Sequence, residues 1–274
     1  MAKIVNGVNF LERLKDGTKK IITVPDQIKR LKKMMLDYNG TKYGVRDYEN
    51  LEIMLDPGSG GNGSTIATYL LDDWVGHDGQ KHKGIIDKED KYLVMEAYKF
   101  PEAKNILHMP SAQAHKIDMY SALTDMIEQN LIIFPRPLNL RQEFEFETEG
   151  QDGKLVCRYE KAAPEEVRAM TELDLMVTEV TSMQRVKTPN GNIVIKLPKT
   201  LERKLHDDRA YCLAMLAFHL NNLRVAERLA KEKGDSSWKK KYCEGDIKYK
   251  PTSKINSIFD NQNAFGKTNI KNLF

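Results

Sequence analysis

The chain is predicted to fold as an α/β protein, a central sheet covered by helices on both sides. Three observations predict this class. Apolar runs such as Leu51-Glu52-Ile53-Met54-Leu55 have the length and character of strands buried on both faces. Apolar residues at helical spacing separate such runs, as with Ile28, Leu31, Met34, Met35 and Tyr38. The two signals then alternate along the chain, the order that builds a sheet between helical layers. With 274 residues, 41% of them hydrophobic, the chain holds enough apolar material for a proper core.

The elements follow in order. Lys20 to Val24 reads as a strand that Pro25 stops. The helix after it starts at Asp26, which is placed to cap it, and ends at Asn39-Gly40. The strand Leu51–Leu55 leads through Asp56 into a glycine-rich turn, Pro57-Gly58-Ser59-Gly60-Gly61-Asn62-Gly63, and a helix from Ser64 to Trp74. Val75 to Lys91 is rich in Gly, Asp, His and Lys and reads as a long loop. Asn105–Met109 is a short strand. Pro110-Ser111 opens a helix with the stripe Ile117, Tyr120, Leu123 and Ile127, and Leu131–Phe134 returns as a strand closed by Pro135. Phe144–Phe146 and Leu155–Tyr159 form a small two-stranded excursion, and Thr171 to Met183 is helical. Residues 184 to 197 read as a hairpin around Asn190-Gly191, the strongest short hairpin signal. From Ala210 to about Leu229 runs a helix, apolar nearly all round as far as Leu220 and so expected to be packed inside the domain. The organisation expected is one domain over residues 1–232 and a basic tail over 233–274.

Charge is balanced overall but sorted along the chain. Lys and Arg number 43 against 39 acidic residues, and a net charge of +4 does not by itself imply a nucleic-acid partner. The tail, however, concentrates lysines, while Gln142 to Glu149 reads Q-E-F-E-F-E-T-E. Three widely spaced cysteines, Cys157, Cys212 and Cys243, suit neither a disulfide framework nor a zinc knuckle and point to a reducing compartment. No run approaches the ~18 consecutive apolar residues of a membrane span, and Met1-Ala2-Lys3-Ile4 does not open a signal peptide. A soluble intracellular protein is expected.

Chemistry is expected at two acidic stations. Asp56 stands at the carboxyl end of a strand, beside glycines that let a backbone or phosphate approach closely. His206-Asp207-Asp208-Arg209 stands at the start of the Ala210 helix. Taken singly, Asp-Pro-Gly is ordinary turn chemistry, and Asp207 and Asp208 suit a helix cap. Taken together, two carboxylate stations at the ends of buried elements suggest a divalent-metal site, because hard cations require oxygen ligands. The glycine loop lacks the lysine of a P-loop and the spacing of a dinucleotide fingerprint, so both are rejected. His77 and His82 have no zinc-spaced partners and read as solvated loop histidines. His206 adjoins the acids and is placed to ligate metal or hold a water. Lys116 is a candidate phosphate contact, and Lys239, Lys240 and Lys241 would help neutralise a DNA backbone.

Four stretches then carry a resemblance. Leu51 to Gly63 resembles the second acidic strand and glycine turn of the nuclease domain of the tailed-phage terminase large subunit, the DNA-packaging motor protein. Lys116-Ile117-Asp118-Met119-Tyr120-Ser121-Ala122-Leu123 through Pro135 is similar to that family's lysine-containing helix and the strand after it. Leu138 to Phe146 is similar to the segment that leaves the sheet, and His206-Asp207-Asp208-Arg209-Ala210-Tyr211 resembles its H-D-D motif. The match covers about residues 28 to 225. It implies a ribonuclease H-like mixed central sheet and cleavage of concatemeric double-stranded DNA with two Mg²⁺ or Mn²⁺ ions. Asp56 and Asp208 are the implied metal ligands, with Asp207 and His206 able to tune or replace one of them. Implied partners are double-stranded DNA, the terminase ATPase portion or another upstream polypeptide, the portal protein and the small terminase subunit, in the host cytoplasm at the procapsid. The family's first aspartate comes from a strand upstream of this stretch, and Met1 begins after it. The expectation is therefore weak or no cleavage without an upstream segment. Two rivals are carried forward: a non-catalytic DNA- or portal-binding module, and another ribonuclease H-like nuclease of the resolvase or transposase type.

Overall fold

The structure, a computed structural model, describes residues 1–8, 10–13, 19–38, 51–58, 62–91, 93–110, 112–138, 143–149, 155–161, 163–202 and 205–232. The tail from residue 233, with Lys239, Lys240 and Lys241, lies outside the described residues. The chain begins with β1 (Ala2–Lys3), β2 (Leu11–Arg13), β3 (Lys19–Ile21), α1 (Val24–Tyr38), β4 (Ile53–Met54) and α2 (Asn62–Leu70). There follow β5 (Trp74–Val75), β6 (Lys81–His82), β7 (Ile85–Ile86), α3 (Leu93–Glu96), β8 (Lys104–Asn105), β9 (Leu107–His108) and α4 (Ala112–Glu128). The remainder is β10 (Ile132–Ile133), β11 (Glu143–Glu149), β12 (Leu155–Lys161), α5 (Pro164–Ser182), β13 (Gln184–Lys187), β14 (Ile193–Lys196) and α6 (Asp208–Glu232). The protein is mixed α/β, as its sequence predicts. Contacts divide it into two compact units, one comprising residues 1–8 and Tyr120–Ala217, the other the described residues between Phe10 and Met119 together with those from Phe218 onward.

Where one central sheet is expected, the described strands pair two by two. The parallel pairs are β1 with β10, β4 with β9 and β7 with β8; the antiparallel pairs are β2 with β3, β5 with β6, β11 with β12 and β13 with β14. Proline limits three of the parallel strands. Pro57, Pro110 and Pro135 stand three, two and two residues beyond β4, β9 and β10. Each removes a ladder donor and turns the chain away, so these ladders stay two residues long.

Several expected boundaries move for local reasons. The first helix starts at Val24 rather than after Pro25, because proline fits a first helical turn. Its cap is Thr23, whose Oγ1 accepts the Asp26 N–H at 3.4 Å while its hydroxyl donates to Asp26 Oδ2 at 2.5 Å. Asp26 is thus the partner of the cap rather than the cap. The second helix ends at Leu70, and Trp74 enters β5 instead of closing the helix. Asp73 makes the break by accepting the Gly84 N–H at 3.3 Å and pairing with Lys81 and Lys83. The expected loop 75–91 therefore contains the end of β5, all of β6 and the fully buried β7. Its apolar content, Ile85-Ile86, is too short to register as a strand by period.

In the second unit the core gathers Ile28, Met35 and Leu36 of α1, Ala67 and Leu70 of α2, Ile85 and Ile86 of β7, and Leu107 of β9. Buried Asp87 ties the ends of β7 and β9 together by accepting the Glu89 N–H on Oδ1 and the Met109 N–H on Oδ2, both at 2.8 Å. In the first unit, β11 and β12 pair over seven residues each, and the Asn190-Gly191 hairpin forms as predicted, with Gly191 at φ +81°. The helix α5 starts at Pro164, earlier than its apolar stripe shows, since the Glu166 carboxylate reaches back to the Ala163 N–H at 2.7 Å. The last helix is not apolar all round in its setting. Ala210, Leu213, Ala214, Met215 and Ala217 are buried, but Cys212 and Leu216 face solvent.

Candidate functional site

Asp56 follows β4 directly and is half-buried. The backbone N–H of Leu55 donates to the His108 carbonyl at 2.9 Å, so the parallel pair holds the chain up to the residue before the carboxylate. Asp56 Oδ1 then accepts the Gly58 N–H at 3.1 Å, and Gly58 adopts φ +67°, the left-handed conformation that glycine tolerates. The first turn of α2 packs directly on this peptide. A Cβ added at Gly63 would stand 1.9 Å from the Asp56 carbonyl oxygen and 2.8 Å from Pro57 Cα. Glycine is required there by the close approach of two backbones. Asp56 is thus presented at the carboxyl end of a parallel strand, on a turn held from both sides.

His206, Asp207 and Asp208 lie in the other unit, at the start of α6. The Asp207 carbonyl accepts the Tyr211 N–H at 2.8 Å, which makes Asp207 the cap residue by backbone geometry. The next donors turn to a neighbouring helix. Glu179 of α5, fully buried, accepts the N–H groups of Arg209 and Ala210 on Oε2 at 3.0 and 3.2 Å. Its Oε1 receives Arg209 Nη1 at 2.5 Å, and Glu172 takes Arg209 Nε at 2.7 Å. A carboxylate from a neighbouring helix therefore caps α6, the role that Asp207 and Asp208 could have filled on sequence grounds. The Asp208 side chain is exposed, Asp207 is half-buried and His206 is exposed. Buried Tyr120, on α4, has its hydroxyl pKa raised, first by burial and then by Asp207, Glu179 and Tyr211. It stays a neutral phenol beside this acidic helix start.

A second group of polar side chains comes together in the unit that holds Asp56. Met54 pairs with His108 across β4 and β9, and Glu52 stands two residues before Met54, so by the two-residue period Glu52 and His108 share one side of the ladder. Glu52 Oε2 lies 2.5 Å from His108 Nε2. His219 of α6 lies against His108, the rings tilted at 38° with centroids 4.5 Å apart, and is 6% exposed. One ligand atom from each of Glu52, His108 and His219 can be chosen so that all lie within 4.8 Å of one another. Burial, followed by the neighbouring His108, lowers the His219 pKa to about 4, with Glu52 acting in the opposite direction. None of the three figures among the residues that the sequence singles out. Their only sequence signal is a polar residue interrupting an apolar run, and nothing in the order of residues shows that β4 and β9 pair.

The remaining expected residues distribute unevenly. Lys116 lies half-buried in α4. His77 is half-exposed, 3.9 Å from Asp37. His82 is not a solvated loop histidine: it is buried, 3.0 Å from Asp78, and its ring packs on Trp74 at 4.9 Å. The antiparallel pairing of β5 and β6 turns it inward. A cleft of about 850 Å³ beside α1 is lined by Lys20, Lys29, Arg30, Lys32 and Lys33 together with Asp26, Trp74 and His77. Lys32 Nζ stands 5.2 Å over the Trp74 ring. No helix is long and apolar enough to cross a membrane among the described residues. Comparison with protein-family models, curated proteins and solved structures found no match.

Proposed function

We propose that the chain is a metal-dependent phosphodiester hydrolase acting on DNA. Within that class, the reading is the nuclease portion of a phage DNA-packaging terminase, cutting concatemeric double-stranded DNA in the host cytoplasm. The observation that carries it is the setting of Asp56, half-buried at the carboxyl end of a parallel strand and fixed by a glycine turn on which α2 packs. The exposed carboxylate of Asp208 in the first turn of α6 supports it, because Glu179 relieves that carboxylate of capping the helix. The donor chemistry also fits. Carboxylate oxygens are the ligands that Mg²⁺ and Mn²⁺ take. In this reading Asp56 would be a metal ligand, and so would Asp208, with Asp207 and His206 beside it along the chain. Such ions supply an activated water and charge neutralisation at the scissile phosphate. Lys116 and the lysines at 239–241 contact the DNA backbone, and the ATPase portion, portal and small subunit are the protein partners.

Nicking of supercoiled plasmid with Mn²⁺, measured with the terminase ATPase portion present, tests the reading. Metal-dependent nicking is expected, and Asp56→Asn and Asp208→Asn are each expected to reduce it by about 100-fold or more. No nicking overturns the reading and leaves a non-catalytic DNA- or portal-binding module, while nicking that both variants retain overturns the assignment of Asp56 and Asp208.

A further inference from the structure

We propose that Glu52, His108 and His219 form a binding site for a borderline transition-metal ion, Zn²⁺ foremost, separate from the carboxylates assigned to hydrolysis. The two imidazoles and one carboxylate come from three elements: the chain just before β4, the end of β9 and the middle of α6. They belong to one unit and converge on one side of the β4–β9 ladder. Glu52 and His108 are joined by a hydrogen bond, and a second, buried imidazole, His219, lies against the first. Two imidazoles in contact beside a carboxylate supply the nitrogen and oxygen donors that one shared cation takes.

The ligand set chooses the ion. Imidazole nitrogen suits zinc and its neighbours, whereas Mg²⁺ prefers oxygen alone and keeps its waters. Zinc takes His nitrogen and carboxylate oxygen at about 2.0–2.2 Å, which places neighbouring ligand atoms about 3.3 Å apart. The Glu52–His108 contact of 2.5 Å must open slightly and the 4.8 Å limit of the group must close, both within reach of side-chain rotation. Ion entry displaces the proton that this contact shares. Three protein ligands leave a fourth position for water or an incoming anion.

The test uses the full chain, dialysed against chelator and titrated with Zn²⁺ and, separately, Co²⁺. One equivalent is expected to bind, with visible cobalt bands of four- or five-coordinate geometry that Zn²⁺ abolishes and millimolar Mg²⁺ does not. Of the six histidines, two should shift their imidazole nitrogen resonances on Zn²⁺ binding, and these should be the two that disappear in His108→Ala and His219→Gln. His108→Ala should weaken binding by about 100-fold, above the ~10-fold that loss of a supporting residue costs. Absence of a stoichiometric equivalent, shifts confined to His77, His82, His115 or His206, or wild-type affinity in folded His108→Ala each overturns the proposal. The wild-type spectra decide even where His219→Gln fails to fold. None of these readouts involves DNA cleavage, so their failure leaves the nuclease reading untouched.

Discussion

Glu179 shows how much one buried side chain controls at the start of α6. It satisfies two of the helix's first N–H groups and neutralises Arg209, all without solvent exposure. Breaking a buried pair by removing one partner costs about 3–5 kcal/mol, because the remaining charge is left in a low dielectric. Glu172 still holds Arg209 Nε. Glu179→Ala is therefore expected at the lower end, about 3 kcal/mol, read as a fall in the urea midpoint at unchanged slope. His219 makes a second residue-scale prediction. Its ordinary pKa of 6.5 falls to about 4 in the fold, chiefly through burial. The unfolded chain therefore binds more protons between these values, and folding stability is full above about pH 6.5 and is lost as pH drops toward 4. The loss amounts to about 3 kcal/mol. Urea unfolding of metal-free protein at several pH values should show this slope, and His219→Gln should flatten it; an equal slope in both would remove His219 as its source.

At the scale of elements, the turn from β4 into α2 depends on backbones that touch. Gly63→Ala forces a methyl into the Asp56 carbonyl and the Pro57 Cα, neither of which belongs to a flexible side chain. A cost of about 1–3 kcal/mol is expected, with a parallel loss of metal-dependent nicking as Asp56 moves. Ser64→Ala, one residue on and exposed, is expected to change stability by no more than about 0.5 kcal/mol. Equal thermal midpoints for the two variants would show that the helix gives way freely. Helices were largely legible in the sequence because capping and period act within a few residues: α1, α4 and the Asn190-Gly191 hairpin lie close to their predicted places. The segment 75–91 was not legible. Its strands are two residues each, and only pairing with β8 and packing against α2 and β9 makes β7 a buried strand.

For the molecule as a whole, DNA affinity is the property most open to measurement. Each lysine that neutralises a phosphate releases a counterion and contributes ~0.9 to the salt slope. Replacing Lys239, Lys240 and Lys241 by alanine should weaken duplex binding at low salt and flatten the plot of log affinity against log salt by about 2–3. A parallel Lys20→Ala, Lys29→Ala variant reads the contribution of the cleft beside α1. If the tail variant binds with an unaltered slope, those lysines are a wet surface and the nuclease reading loses its tail contact.

The α/β class, most helix positions and the presentation of Asp56 after an apolar strand followed from sequence alone, since propensity, capping and turn chemistry are local. Tertiary structure decided which polar side chains meet. Only strand pairing puts Glu52 beside His108, only α6 brings His219 to them, and only α5 supplies the carboxylate that caps the H-D-D helix. These contacts join residues 30 to more than 100 positions apart. Burial, rather than residue order, sets their chemistry.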